Sequence, residues 1–336
     1  MQWCETKGAG IIGRHCFSAC LFILLIIIST GMFLLSGCNS KPPAVTPAAE
    51  QEVQLNPEAR LDLIKLEGYA RPDALISVHQ LKEKMLDSNI VVFDARGSTF
   101  RIYQKTYLQS HIPGALPLLS SNYYNQKYPG RIASPVELQG VLGKSGVSNN
   151  TSIVLYGSDG LDARLFWVIK MYGYDDVKIL DGGLDKWKES GYDTTNIISS
   201  LSPAEFQFDL SESKAELMMA TFKDVKTAVS SNNYVIVDAR SDAEYAKGHI
   251  PGSVNIPSTQ LFNKDMTFKP SPLLKELFAS KKITPDKTVI VYCNTGARSS
   301  SVWFALSELL GYPNVKNYDG AYNEWLKYGG PVATGS

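Results

Sequence analysis

Five landmarks occur twice along the chain in the same order, and this internal repetition restricts the fold more than any other feature of the sequence. The first pass gives Ile90-Val91-Val92-Phe93-Asp94-Ala95-Arg96, His111-Ile112-Pro113-Gly114, Ile153-Val154-Leu155-Tyr156-Gly157, Asp181-Gly182-Gly183 and Trp187. The second gives Val235-Ile236-Val237-Asp238-Ala239-Arg240, His249-Ile250-Pro251-Gly252, Val289-Ile290-Val291-Tyr292-Cys293, Asp319-Gly320 and Trp325. Spacing agrees closely: His111 to Gly157 is 46 residues against 44 from His249 to Cys293, and Gly157 to Trp187 is 30 against 32 from Cys293 to Trp325. Each short β-branched run, bounded by polar residues and followed by a helical pattern, reads as a buried strand of a parallel sheet. Val302, Ala305, Leu306, Leu309 and Leu310 fall at helical spacing, with Gly311 as a natural C-cap. Further helices are expected over 78–86, 161–172 and 273–279. The fold class is therefore α/β, with two domains, each a mainly parallel sheet with helices on both faces. The 336 residues, 44% of them hydrophobic, suffice for two cores. The serine-rich stretch 196–216 is expected to connect them.

At the N-terminus, Lys7 and Arg14 precede an uncharged run over 16–35, which ends in Leu35-Ser36-Gly37-Cys38 before a Pro-rich stretch. This reads as a signal segment. It resembles the bacterial lipoprotein lipobox, which implies that Cys38 carries lipid and becomes the mature N-terminus. The alternative is an uncleaved anchor, since about 20 apolar residues can span a bilayer. Either reading puts the remainder outside the cytoplasm, lipid-anchored to a bacterial membrane in the first case. The expected organisation is 1–37 signal peptide, 38–56 flexible tether, 57–200 first domain and 201–336 second domain. Lysine plus arginine equal aspartate plus glutamate at 33 each, so no global field recruits nucleic acid. Of the cysteines at 4, 16, 20, 38 and 293, only the last two remain after cleavage. With Cys38 lipidated, Cys293 has no intramolecular partner, and the domains must be held by their cores.

Cys293 follows a strand and opens the loop Cys293-Asn294-Thr295-Gly296-Ala297-Arg298, which runs into a helix. Ligands in open α/β sheets bind beyond the carboxyl ends of the strands. There the loop amides and the first helical turn offer unsatisfied N–H groups and partial positive charge. Such a cradle stabilises a thiolate or a persulfide, and thiol pKa values at helix N-termini fall from about 8.5 to about 3.5–7.5.

On the strand-end D-A-R, the H-I-P-G loop, the cysteine loop closed by arginine and the D-G turn before tryptophan, residues 60–330 resemble the two-domain sulfurtransferases of the rhodanese family. The resemblance implies two rhodanese-like domains, with Cys293 as the catalytic nucleophile and a first domain that has lost its own. Gly157 stands where Cys293 does, and Asp162 where Arg298 does. It also implies that sulfur passes from a small donor such as thiosulfate through a Cys293 persulfide to a thiophilic acceptor such as cyanide or a thiol, with no metal or organic cofactor. Four residues separate Cys293 from Arg298, one fewer than in the loop of cysteine phosphatases, which favours a ring around one sulfur over one around a phosphate.

Asn294, Thr295, Gly296 and Ala297 are candidate substrate-binding loop residues. Arg298 either faces an anionic donor or braces the loop by an ion pair to an acidic neighbour. Arg240 matches a position facing the family's pocket, with a structural role equally open. Asp238 and Glu244 read as framework acceptors. His249 invites a Cys-His reading, but its copy His111 lies in the repeat without cysteine, so both are expected to hold the H-I-P-G turn. Asn294-Thr295-Gly296 matches neither the thiosulfate nor the mercaptopyruvate type of loop, leaving the donor open. Two other classes stay in view: a non-catalytic persulfide carrier or redox sensor, and a docking subunit with a protein partner in the cell envelope.

Overall fold

The computed structural model describes residues 56–87, 89–125 and 131–335. The signal segment, Cys38 and all but the last residue of the expected tether lie outside the described residues. The first described element is the helix Pro57–Glu67, whose N-cap Asn56 accepts the Glu58 N–H through its side chain. Among the described residues no helix is long and apolar enough to cross a membrane.

Each repeat folds into a five-stranded parallel sheet. The first contains β1 (Leu75–Ile76), β2 (Ile90–Asp94), β3 (Leu116–Pro117), β4 (Ser152–Tyr156) and β5 (Val177–Leu180), in the order β1-β5-β4-β2-β3. The second contains β6 (Met219–Ala220), β7 (Tyr234–Asp238), β8 (Val254–Asn255), β9 (Thr288–Tyr292) and β10 (Val315–Tyr318), in the matching order β6-β10-β9-β7-β8. The register repeats too: Asp94 lies opposite Tyr156, and Asp238 opposite Tyr292. The central strands are buried on both faces because helices cover each side, which is why they read as continuous apolar runs and not as alternating ones.

The expected helices are present as Val78–Lys84, Leu161–Met171 and Ser271–Ser280. The helix after the cysteine loop differs in its second half. It runs as α-helix over Ala297–Phe304 and continues as a π-turn, Ala305–Leu309, where the Leu310 N–H reaches back to the Ala305 carbonyl. That turn buries Leu306 and Leu309 and carries Glu308 to Arg71, and its Glu308 and Leu309 carbonyls accept the N–H groups of Arg71 and Ala70.

The two sheets do not form separate cores. One apolar cluster runs from Phe93, Leu155 and Trp167 in the first repeat to Val291, Trp303 and Leu306 in the second. Phe166 meets Phe304 edge-on with ring centroids 4.9 Å apart, and Phe304 meets Phe268 at 5.3 Å. Smaller clusters cover the outer sheet faces, around Trp187 in one repeat and Trp325 in the other. The connecting stretch is not slack: Phe206 and Phe208 bury against Tyr174 and Tyr172 of the first repeat. The helices Leu161–Met171 and Ala297–Phe304, each starting at its repeat's landmark loop, pack against one another and so set the two loops side by side.

Candidate active site

The loop from Cys293 turns out of β9 and enters its helix through Gly296, whose φ of +86° belongs to the left-handed region that glycine adopts without a steric cost. Its carbonyls are tied outward. Cys293 O accepts the Tyr322 N–H at 2.8 Å, and Asn294 O accepts the Asn323 N–H at 3.3 Å. Gly296 O is held by the Ser300 hydroxyl at 2.7 Å, the Asn317 amide at 3.2 Å and Arg164 Nη1 at 3.3 Å. A peptide plane with its carbonyl pinned one way aims its N–H the opposite way, so these bonds fix the directions of the Asn294, Thr295 and Ala297 amides. The Gly296 N–H reaches the buried Cys293 Sγ at 3.1 Å, and Ser299 Oγ lies 3.7 Å from it. The Ser299 hydroxyl donates to Asn317 Oδ1 at 2.7 Å, which fixes the Asn317 amide for its bonds to Ser300 and Gly296.

Of the candidate residues, Arg298 braces the loop. Its guanidinium is bidentate to Glu244 at 2.7 and 2.9 Å, and Glu244 also accepts from Asn294 Nδ2 at 2.8 Å. The Arg298 hydrogen bonds and the Ser241 N–H and hydroxyl hold the Glu244 carboxyl far below its usual range despite partial burial. The hydrogen bonds to Glu244 raise the Arg298 pKa most, and the nearby Cys293 sulfur raises it further. The Asn294 side chain therefore links Glu244 to Arg240 and does not project as a free ligand group.

The sequence leaves Arg240 either facing the pocket or bracing the frame, and in the fold its Nη1 lies 3.5 Å from Asn294 Oδ1 of the cysteine loop. It is buried, its Nε and Nη2 grip Asp238, Nη2 also donates to Gly248 O at 2.7 Å, and its guanidinium lies 3.9 Å from the Tyr322 ring centroid. Arg96 does the same with Asp94 and Ser110 O in the repeat without cysteine. A role shared by both repeats is to knot the strand end to the following loop. The histidines obey the same logic. His249 Nδ1 meets Tyr245 O at 2.9 Å with its ring stacked on Tyr245, and His111 Nδ1 meets Tyr107 O at 2.7 Å with its ring stacked on Tyr107.

Several residues at the site escaped sequence reasoning. Ser299, Ser300 and Asn317 are buried polar positions whose repeat copies are Ala163, Arg164 and Ile179; a polar residue opposite an apolar copy was the available signal for Ser299 and Asn317. Tyr124 and Arg164 come from the other repeat, and no local pattern announces them. The Tyr124 phenol is raised by burial, an effect that Arg164 and a hydrogen bond with the Thr295 side chain oppose and the Cys293 sulfur adds to.

Residues 77–190 and 221–328 each match the Rhodanese-like domain family. The chain belongs to that family. It is 32% identical over 287 residues to the sulfur carrier protein TtuD of Thermus thermophilus, covering 80% of this chain and 99% of that one. It is also 32% identical over 274 residues to a Haloferax volcanii protein provisionally assigned as a thiosulfate sulfurtransferase, covering 75% and 94%. Among solved structures, the anaerobic ergothioneine biosynthesis enzyme of Chlorobium limicola superimposes with a TM-score of 0.71 at 23% identity, covering 80% of this chain and 72% of that one, and so shares the fold.

The first rhodanese repeat keeps the loop but has Gly157 where the second has Cys293. Gly160 caps its helix at φ +77° as Gly296 does, yet the cradle is filled from within. The Asp162 carboxyl accepts the Ala163 N–H at 2.8 Å and receives further backbone N–H groups from Gly157 and its own residue, while burial raises its pKa. A Cβ at Gly157 would stand 2.8 Å from Asp162 N and 3.0 Å from its Cβ. Asp162, at the position corresponding to Arg298, thus occupies the space into which a side chain at residue 157 would project.

Proposed function

We propose that this rhodanese-family chain is a sulfurtransferase that moves sulfane sulfur from a small anionic donor such as thiosulfate, through a persulfide on Cys293, to cyanide or a thiol. The observation that carries this reading is the Gly296 N–H at 3.1 Å from Sγ in a loop whose Cys293, Asn294 and Gly296 carbonyls are bonded to other groups. In the first step the Cys293 thiolate attacks the outer sulfur of thiosulfate. The new S–S bond forms as the sulfur–sulfite bond breaks, and sulfite leaves with the electron pair. In the second step an acceptor such as cyanide takes the outer sulfur, releasing thiocyanate and restoring the thiolate. Charge is conserved in both steps. The backbone amides hold the inner sulfur, and Arg298, fixed by Glu244, contributes its field.

The test is the intact mass of the purified protein after exposure to thiosulfate and to 3-mercaptopyruvate. A gain of one sulfur atom, abolished in Cys293→Ser, supports the reading and ranks the donors; thiocyanate formation by Cys293→Ser would refute it. A second reading, a carrier that delivers the Cys293 persulfide to one protein, is favoured by the kinship to a sulfur carrier protein. Rapid persulfide formation with negligible turnover on cyanide or small thiols identifies that case. The N-terminal sequence adds the proposal that lipid on Cys38 holds the enzyme at a bacterial membrane, outside the cytoplasm.

A further inference from the structure

We infer that Arg164, contributed by the inert repeat, is a positioning residue for the Cys293 loop. Arg164 lies in the first turn of the helix Leu161–Met171, and its side chain is fully buried between the repeats. One Nη pairs with Asp319, and the other donates to the Gly296 carbonyl at 3.3 Å. Ser300 and Asn317 also hold that carbonyl, but among the described residues Arg164 is its one cationic donor. Gly296 O and the Ala297 N–H belong to one peptide plane, so the guanidinium sets the direction of that amide and polarises it. A polarised, oriented amide favours negative sulfur.

Docking of the two repeats does not by itself demand this contact. The corresponding aspartate of the first repeat, Asp181, also bridges the repeats, accepting the Phe268 N–H at 2.8 Å and pairing with Lys65. In that half the loop from Gly157 fills its cradle with Asp162. The half that keeps the sulfur is the half whose aspartate partner also reaches the loop carbonyl. Around Cys293 the charged groups balance: Arg298 with Glu244, Arg240 with Asp238, and Arg164 and Arg131 with Asp319 and Glu324; the Tyr124 phenol completes the set. Removing Arg164 unbalances that set by one negative charge and frees the carbonyl at once, and the test must separate the two effects.

The experiment compares Arg164→Met, Arg164→Lys and the double variant Arg164→Met/Asp319→Asn, which restores charge balance without restoring the contact. The pH profile of Cys293 alkylation by iodoacetamide reports the thiolate without any sulfur donor, and steady-state kinetics with thiosulfate and cyanide report turnover. Arg164→Met should alkylate about threefold to tenfold more slowly below the thiol pKa, with kcat reduced by a like factor and donor KM little changed, since one of three donors to the carbonyl is lost. Arg164→Lys should recover part of the rate, and the double variant should stay slow. A folded Arg164→Met protein with the wild-type alkylation profile would overturn the inference, as would full recovery in the double variant, which would reduce the effect to charge balance. Should Arg164→Met fail to fold, Arg164→Lys decides, because it keeps the charge and loses the fork: a profile identical to wild type overturns the inference. The inference rests on the sulfur-transfer reading for its kinetic arm alone. If the wild type acquires no sulfur, that reading fails while the alkylation profiles still judge Arg164.

Discussion

Replacing Gly296 by alanine isolates the two demands that the loop makes on that position. The first is conformational: at φ +86° an L side chain costs about 1–2 kcal/mol. The second is spatial, because the new Cβ would stand 2.3 Å from Arg164 Nη1 and 2.8 Å from its Cζ. Arg164 is buried and ion-paired with Asp319, so it cannot swing into solvent; it must give up the Gly296 carbonyl or its place beside the aspartate. Losing a buried hydrogen bond to a charged group costs about 1.5–3 kcal/mol, which puts Gly296→Ala about 2.5–5 kcal/mol below wild type. Gly252 is the internal control. Its φ is +77°, and a Cβ there meets nothing within 4 Å, so Gly252→Ala should show the conformational cost alone, about 1–2 kcal/mol. Urea titration of both variants, with Cys293 alkylation as a second readout, measures the difference. Equal destabilisation of the two would refute the contact argument, and a normal alkylation rate in Gly296→Ala would refute its link to the sulfur.

Glu244→Gln should weaken the protein near neutral pH and slow sulfur transfer by freeing Arg298. Because the folded-state carboxyl lies below its ordinary 4.5, the stabilisation lost is present above that value and disappears as pH falls toward the folded pKa, so the gap between mutant and wild type in urea titrations should close in acid. Gly157→Cys alone should remain unable to take sulfur from thiosulfate, since Asp162 occupies the cradle; persulfide detected by mass at residue 157 in the single mutant would contradict this. His249→Ala should cost about 1–2 kcal/mol through the lost turn contact, with kcat retained where the protein is folded; abolished turnover in a folded mutant would restore a chemical role for the ring. Cys38→Ala should release the protein from membranes with activity intact, a lipid contributing about 0.8 kcal/mol per buried methylene; retention at high salt without fatty-acid labelling would point to an uncleaved helix instead.

The repeat itself was legible because parallel strands buried on both faces leave continuous apolar runs, and because Asp-Ala-Arg, His-Ile-Pro-Gly and the cysteine loop fix local geometry that chain-neighbouring residues complete. The cysteine was legible for the same reason: strand, glycine and helix start are contiguous. For Arg240 the sequence left two roles open, and its copy Arg96, which grips Asp94 as Arg240 grips Asp238, points to the frame. Tyr124 and Arg164 were out of reach. Their place at the sulfur depends on how one sheet docks on the other, and that contact runs between residues more than a hundred positions apart, with no periodicity to mark it. The π-turn at Ala305–Leu309 was equally hidden, since its spacing fits an α-helix and only the contact with Ala70 and Arg71 distinguishes the two.

That contact also decides where a pull on the N-terminal side of the folded body would be felt. The chain leaves the helix Pro57–Glu67, is fastened to the second repeat by the Tyr69 hydroxyl on Lys269 O, the Ala70 N–H on Leu309 O and Arg71 on Glu308, and only then enters β1, a two-residue edge strand. The helix Pro57–Glu67 is itself tied to the first repeat through Lys65 on Asp181 and Asp62 on His79, so tension along that path would be shared between the first sheet and the far end of the helix that begins at the cysteine loop.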